Sequence, residues 1–126
     1  MDNLPGYFTP GEVVDLNVEL PTISLNQAVE QIRQGAYILD VRGSSEYAEG
    51  HIDGAINIPF GLLPQHLDAL PQDRPIIVHC AGGVRAQVAA SLLMKHSIAN
   101  FAILEGGLDA WKAAGLALNS PAAAER

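Results

Sequence analysis

The single cysteine of the chain, Cys80, stands where an apolar run ends and a glycine-containing stretch begins. Residues 76–79 (IIVH) have the pattern of a buried strand, residues 80–85 (CAGGVR) form a short loop, and a helical pattern follows directly. Loop N–H groups, a helix N-terminus and the guanidinium of Arg85 all favour negative charge. They therefore favour the thiolate, which is the nucleophilic form of cysteine. The alternative is a buried, inert cysteine that only fills the core.

The residues after Cys80 supply a candidate binding loop for an anionic sulfur group. Glycine has no Cβ, so backbone N–H groups can point inward at these positions without a clash. Arg85 is the only charged side chain of the loop, and we expect it to support the loop and hold the anion; a surface salt bridge is the alternative. The predicted substrate-binding residues are Ala81, Gly82, Gly83 and Val84.

Further polar residues are candidates for supporting roles. We expect Asp40 to accept hydrogen bonds from loop N–H groups, and Arg42 to pair with Glu46, four residues later. Both roles are structural rather than directly catalytic. His51 is predicted to bond to backbone. His79 is predicted to be a packed histidine, because adjacent strand residues point to opposite faces.

Composition restricts the class of protein. The chain has 126 residues, 48% of them hydrophobic, which predicts one globular domain with a proper core. The formal net charge of −7 argues against a nucleic-acid partner or an anionic membrane surface. One cysteine cannot form an internal disulfide, and the four histidines lack metal-ligand spacing. We expect no signal peptide, no membrane span and a reducing, cytoplasmic location.

The hydrophobic pattern predicts alternating strands and helices. Residues 1–21 form an N-terminal extension, with a possible short edge strand over residues 13–20; residues 22–118 form the domain, and 119–126 a flexible, alanine-rich tail. Strands are predicted at 37–41, 55–58, 75–79 and 101–104. Helices are predicted at 24–35, 62–70, from 84, and after Gly107, with one or two helical turns at 44–49. Such alternation indicates a mainly parallel sheet with helices on both faces, whose ligand crevice lies at the carboxyl ends of the strands.

Four ordered sequence blocks carry a resemblance to a known family. They are residues 39–42 (LDVR), 46–59 (EYAEGHIDGAINIP), 80–85 (CAGGVR) and 104–111 (LEGGLDAW). Together they resemble a single-domain rhodanese, a sulfurtransferase module. The resemblance implies a three-layer α/β/α fold with a five-stranded, mainly parallel sheet. It also implies that Cys80 takes a sulfane sulfur from a donor, becomes a persulfide and passes the sulfur on.

The same resemblance implies the reaction partners and raises alternatives. Expected donors are thiosulfate or a persulfide, expected acceptors are cyanide or a thiol, and no metal or organic cofactor is needed. A protein persulfide is a further candidate donor or acceptor, because Ala81 and Gly82 leave the loop without the extra basic charge that suits the thiosulfate dianion. Ala86 stands where many members have a hydroxyl residue.

The alternative functions are a sulfur-carrier or protein-interaction module, and a small phosphatase. Phosphatase relatives of the fold have a longer loop between cysteine and arginine, which disfavours the latter.

Overall fold

A computed structural model of the protein describes residues 20–119. The edge strand considered for residues 13–20 and the alanine-rich tail therefore lie almost wholly outside the described residues. Asn119, the last described residue, pairs with His51 as an antiparallel bridge. No helix within residues 20–119 has the length and apolar character needed to cross a membrane.

Five strands alternate with helical segments along the chain. In chain order the elements are β1 (Thr22–Ile23), α1 (Leu25–Arg33), β2 (Tyr37–Asp40), α2 (Ser44–Glu49), β3 (Ile56–Asn57), two 3-10 segments (Phe60–Gln65 and Leu67–Ala69), β4 (Ile76–His79), α3 (Val84–Lys95), β5 (Phe101–Leu104) and α4 (Gly107–Ala113).

The strands form one parallel sheet in the order β1-β5-β4-β2-β3. The predicted α/β class with a five-stranded, parallel sheet is confirmed. β4 lies in the middle of the sheet, between β5 and β2. Cys80, the residue that follows β4, therefore lies at the centre of the carboxyl edge of the sheet. The hydrophobic pattern did not reveal β1, since its two residues are too short a run to show a period.

Two hydrophobic layers cover the two faces of the sheet. Ile76 and Val78 of β4 pack in the layer that holds α3, whereas Ile77 packs in the layer that holds α1 and α4. This alternation follows from the two-residue period of a strand. Cys80 belongs to the α3 layer, so its side chain faces the start of that helix.

Helix α1 begins as its sequence predicts. The Ser24 side chain accepts from Gln27 N, and the Gln27 side chain accepts from Ser24 N, which together form a capping box.

The helix predicted over residues 62–70 is replaced by the two 3-10 segments. Leu62 N donates to Pro59 O and His66 N donates to Leu63 O, so the hydrogen bonds span three residues instead of four. Pro64 has no N–H and cannot join an α-helical ladder. The apolar residues whose spacing predicted an α-helix therefore lie on 3-10 turns instead.

Candidate active site

The thiol of Cys80 lies at the mouth of the loop that joins β4 to α3. Its Sγ accepts hydrogen bonds from Gly83 N at 3.0 Å and from Ala86 N at 3.3 Å, and the residue is 1% exposed. Gly83 precedes the first residue of α3 and has a φ of 125°, a conformation that L side chains rarely adopt. The loop thus turns N–H groups onto the sulfur, an arrangement that stabilises negative charge on it.

Helix α4 holds the same loop from the other side. Leu108 N donates to Cys80 O at 2.9 Å, and Asp109 N donates to Ala81 O at 3.0 Å. This contact requires glycine at position 107, because a Cβ there would lie 2.5 Å from Ala81 O. The first turn of α4 and the residues at the start of the loop are therefore one hydrogen-bonded unit.

Arg85 forms a two-point ion pair with Glu46. Arg85 Nη1 lies 2.7 Å from Glu46 Oε1, and Arg85 Nη2 lies 3.0 Å from Glu46 Oε2. Gly43 N donates to the same carboxylate at 2.9 Å. The Arg85 hydrogen bonds, followed by that of Gly43, hold the pKa of Glu46 at about 2, well below its ordinary value.

The predicted pairing of Arg42 with Glu46 is wrong, because Arg42 is occupied by Asp40. Arg42 Nε lies 3.0 Å from Asp40 Oδ1 and Nη2 lies 2.8 Å from Oδ2, while Nη2 also donates to Gly50 O at 2.8 Å. Asp40 is fully buried, and a buried carboxylate needs a charged partner nearby. Its oxygens also accept from Arg42 N at 3.0 Å, so the loop that it supports is the one after β2.

His79 is a packed histidine, as the sequence predicts. The side chain is fully buried, and its Nδ1 donates to Cys80 O at 3.2 Å. Nε2 lies 3.7 Å from Asp40 Oδ2 without a hydrogen-bond partner. Burial lowers the pKa of His79 despite the neighbouring Asp40 carboxylate, so the ring is neutral near pH 7. Its hydrogen bond connects this buried ring to the backbone of Cys80.

His51 bonds to backbone, which also agrees with the prediction. Its Nδ1 donates to Tyr47 O at 2.8 Å, and its ring stacks on that of Tyr47 with centroids 3.7 Å apart. Within residues 20–119, no group of three or more His, Cys, Asp or Glu side chains is placed to hold a metal ion.

Two features of the site were not anticipated from the sequence. Val84 is 75% exposed although its side chain is apolar; it is the first residue of α3, where the helix joins the loop. Asp109 lies beside the loop, because a Cβ built on Gly82 would be 3.7 Å from Asp109 Oδ2. The only sequence signal for the second feature is that Asp109 belongs to the block LEGGLDAW.

Comparison with known proteins decides the family. The family model described as "Rhodanese-like domain" matches residues 24–114. The chain belongs to this family. The match takes in the Cys80 loop, the Asp40–Arg42 pair and the first turn of α4. The contacts of the Cys80 loop described above therefore all lie within the matched residues, whereas β1 and the bridge between His51 and Asn119 extend beyond them.

Several relatives of this rhodanese-like domain carry the name sulfurtransferase. A "Sulfurtransferase" of Allochromatium vinosum is 30% identical over 103 residues, which cover 82% of this chain and 95% of the relative. A "Thiosulfate sulfurtransferase GlpE" of Shewanella oneidensis is 33% identical over 90 residues, covering 71% and 89%. Among solved structures, a rhodanese-related protein from Thermoplasma volcanium superposes with a TM-score of 0.73 at 30% identity, covering 79% of this chain and 97% of that one.

The ion pair between Arg85 and Glu46 predicts a specific loss of stability in acid. Glu46 has a pKa of about 2 in the folded protein and an ordinary value of 4.5. Its ionised form therefore stabilises the folded state fully above about pH 5, and this contribution disappears as the pH falls towards 2. We expect the free energy of unfolding of the native protein to exceed that of Glu46→Gln by a constant amount above pH 5 and by less at each lower pH.

Urea titrations of both proteins between pH 7 and pH 3 measure this difference. Because the other carboxyl groups titrate equally in the two proteins, their contribution cancels. If the free energies of unfolding of the two proteins differ by the same amount at every pH down to the lowest, the pKa of Glu46 is not depressed. That result would argue against the ion pair in solution.

Proposed function

We propose that the protein is a sulfurtransferase that carries a sulfane sulfur as a persulfide of Cys80. The observation that carries this proposal is the pair of N–H groups, of Gly83 and Ala86, that point at Sγ. These donors stabilise the thiolate before the reaction and an anionic persulfide after it. The relatives named sulfurtransferase support the same class of reaction.

The proposed reaction has two displacements at sulfur. The Cys80 thiolate attacks the outer sulfur of the donor, a new S–S bond forms, and the donor S–S bond breaks so that its electron pair leaves with sulfite or a thiolate. An acceptor, cyanide or a thiol, then attacks the outer sulfur of the Cys80 persulfide. The S–S bond to Cys80 breaks and its electron pair returns to Sγ. No oxidant or reductant is consumed.

We propose supporting rather than chemical roles for the other residues. Arg85, fixed by Glu46, braces the end of the Cys80 loop, defined as residues 80–85. The buried Asp40–Arg42 pair braces the neighbouring loop after β2. The backbone of Ala81, Gly82, Gly83 and Val84 lines the space in which the transferred sulfur would lie.

A second candidate function is a sulfur carrier or interaction module that works with a protein partner. The ion pair of Arg85 with Glu46 favours it, because the only cation of the loop is already matched by a carboxylate. A loop without net positive charge is poorly suited to small dianionic donors. The same pairing, together with the short loop, disfavours phosphate-ester hydrolysis.

Intact mass spectrometry after incubation with sulfur donors tests the proposal. We expect a gain of one sulfur atom on Cys80 with at least one of thiosulfate and glutathione persulfide, and loss of that sulfur when cyanide or a thiol is added. A protein that gains no sulfur from either donor would contradict the proposal. Turnover of an aryl phosphate in the parallel assay would favour the phosphatase class instead.

A further inference from the structure

The charge balance around the Cys80 loop is negative, although the loop itself contains an arginine. Arg85 contributes one positive charge, and Glu46 matches it with two short contacts of 2.7 and 3.0 Å. A guanidinium held in this two-point geometry has its paired N–H groups directed at the carboxylate. A donor that approaches Cys80 therefore meets a neutral ion pair instead of a free cation.

Asp109 adds a carboxylate at the open side of the loop. Its backbone N–H is fixed to Ala81 O at 3.0 Å, and its Oδ2 would be 3.7 Å from a Cβ built on Gly82. Both Asp109 and Gly82 are exposed, so the carboxylate borders the route by which a solute reaches the loop. Within residues 20–119, no basic side chain forms an ion pair with it.

We propose that Asp109 is a specificity-determining residue that disfavours doubly anionic sulfur donors and favours persulfides carried on an uncharged or cationic group. The proposal rests on the sulfurtransferase function proposed above. With Glu46 balancing Arg85, the carboxylate of Asp109 is left as an uncompensated negative charge at the entrance, and it adds to the charge that Cys80 carries when it reacts as a thiolate. Thiosulfate carries two negative charges and is repelled by this negative entrance, whereas a persulfide with an ammonium group is attracted to it.

The favoured donor step is a simple exchange between sulfur atoms. The Cys80 thiolate attacks the outer sulfur of R–S–S–H, and the bond between the two donor sulfurs breaks. The electron pair leaves with R–S⁻, and the proton stays on the outer sulfur, which becomes the Cys80 persulfide. Asp109 touches none of the atoms whose bonds change; it selects between donors by charge.

Matched donors of opposite charge test the proposal. The rate of sulfur loading on Cys80 is measured by intact mass spectrometry with thiosulfate and with 2-aminoethyl persulfide, for the native protein and for Asp109→Asn. We expect the ratio of the thiosulfate rate constant to the aminoethyl rate constant to rise roughly three- to tenfold in Asp109→Asn at low ionic strength. The rise should shrink at high salt, because exposed charges are screened.

Asp73→Asn is the control for total charge. Asp73 is exposed and precedes the start of β4, at the opposite end of the strand from Cys80, so its removal changes the net charge equally without changing the loop. We expect its donor ratio to equal that of the native protein. Circular dichroism checks the fold of each variant, and Asp109→Ser replaces Asp109→Asn if the latter is perturbed.

The outcomes separate this proposal from the one on which it rests. Loading by both donors with the same ratio in Asp109→Asn and the native protein would overturn the role of Asp109 and leave the sulfurtransferase function standing. An equal rise in Asp73→Asn would also overturn it, because the effect would then be one of net charge. Absence of loading by any donor would overturn both proposals.

Discussion

Replacement of Cys80 by serine is expected to remove sulfur transfer to the background level, a loss of at least roughly a thousandfold. A serine hydroxyl is not ionised near neutral pH and forms no persulfide, so neither displacement can occur. The fold should persist, because the serine oxygen can accept from the N–H groups of Gly83 and Ala86 that now bond to Sγ. Formation of thiocyanate from a sulfur donor and cyanide measures the activity.

Urea unfolding of Cys80→Ser checks that loss of activity is not loss of structure. Asp73→Asn, exposed and distant from the loop, serves as the control that should keep native activity. If Cys80→Ser folds and retains a substantial part of the native turnover, Cys80 is not the nucleophile. The persulfide mechanism would then have to be abandoned.

Replacement of Asp40 by alanine is expected to lower the free energy of unfolding by about 3–5 kcal/mol. Asp40 has no exposed surface, and the side chain of Arg42 that it pairs with is only 7% exposed. Removing the carboxylate leaves a guanidinium in the interior with Gly50 O as its remaining acceptor. An unpaired buried charge is among the most destabilising changes that one substitution can make.

Glu30→Ala is the matched control, since Glu30 forms an ion pair with Arg33 in which the side chains are 59% and 73% exposed. An exposed pair of this kind contributes about 1 kcal/mol or less. Urea titrations at pH 7 compare the two variants. If Asp40→Ala costs no more than Glu30→Ala, the buried pair is not important for stability; Asp40→Asn, which keeps the shape and one acceptor oxygen, is the second variant if Asp40→Ala does not fold.

Local pattern predicted the parts of this molecule that neighbouring residues determine. The buried strand before Cys80 and the helix after it follow from a continuous apolar run, two glycines and helical spacing, and the structure has β4 and α3 at these places. The predicted strands end at Val41 and His79, and because parallel strands end together, this alone predicts that Asp40 and Cys80 lie at the same edge; the structure pairs Asp40 with His79.

The remaining features depend on contacts between distant parts of the chain. Glu46 pairs with Arg85, which is 39 residues away in the sequence. The local sequence instead favours Arg42 as the partner of Glu46, because Arg42 lies four residues before it, at helical spacing. The choice is made by burial: Asp40 has no access to water and takes the nearest guanidinium, which leaves Glu46 for Arg85. Asp109 reaches the loop only because α4 docks onto the carbonyls of Cys80 and Ala81.

The central position of β4 gives the nucleophile candidate an unusual relation to local unfolding. Strands at the margins of a sheet, here β1 and β3 with two residues each, open at low free-energy cost, whereas a strand paired on both sides exchanges its amide hydrogens only when the whole domain opens. Cys80 is attached to that last-opening strand, and its carbonyl is tied to α4 as well. We therefore expect fraying at the margins of the sheet to leave Cys80 at the end of a strand that is still paired on both sides, so that the position of the sulfur persists until the domain unfolds.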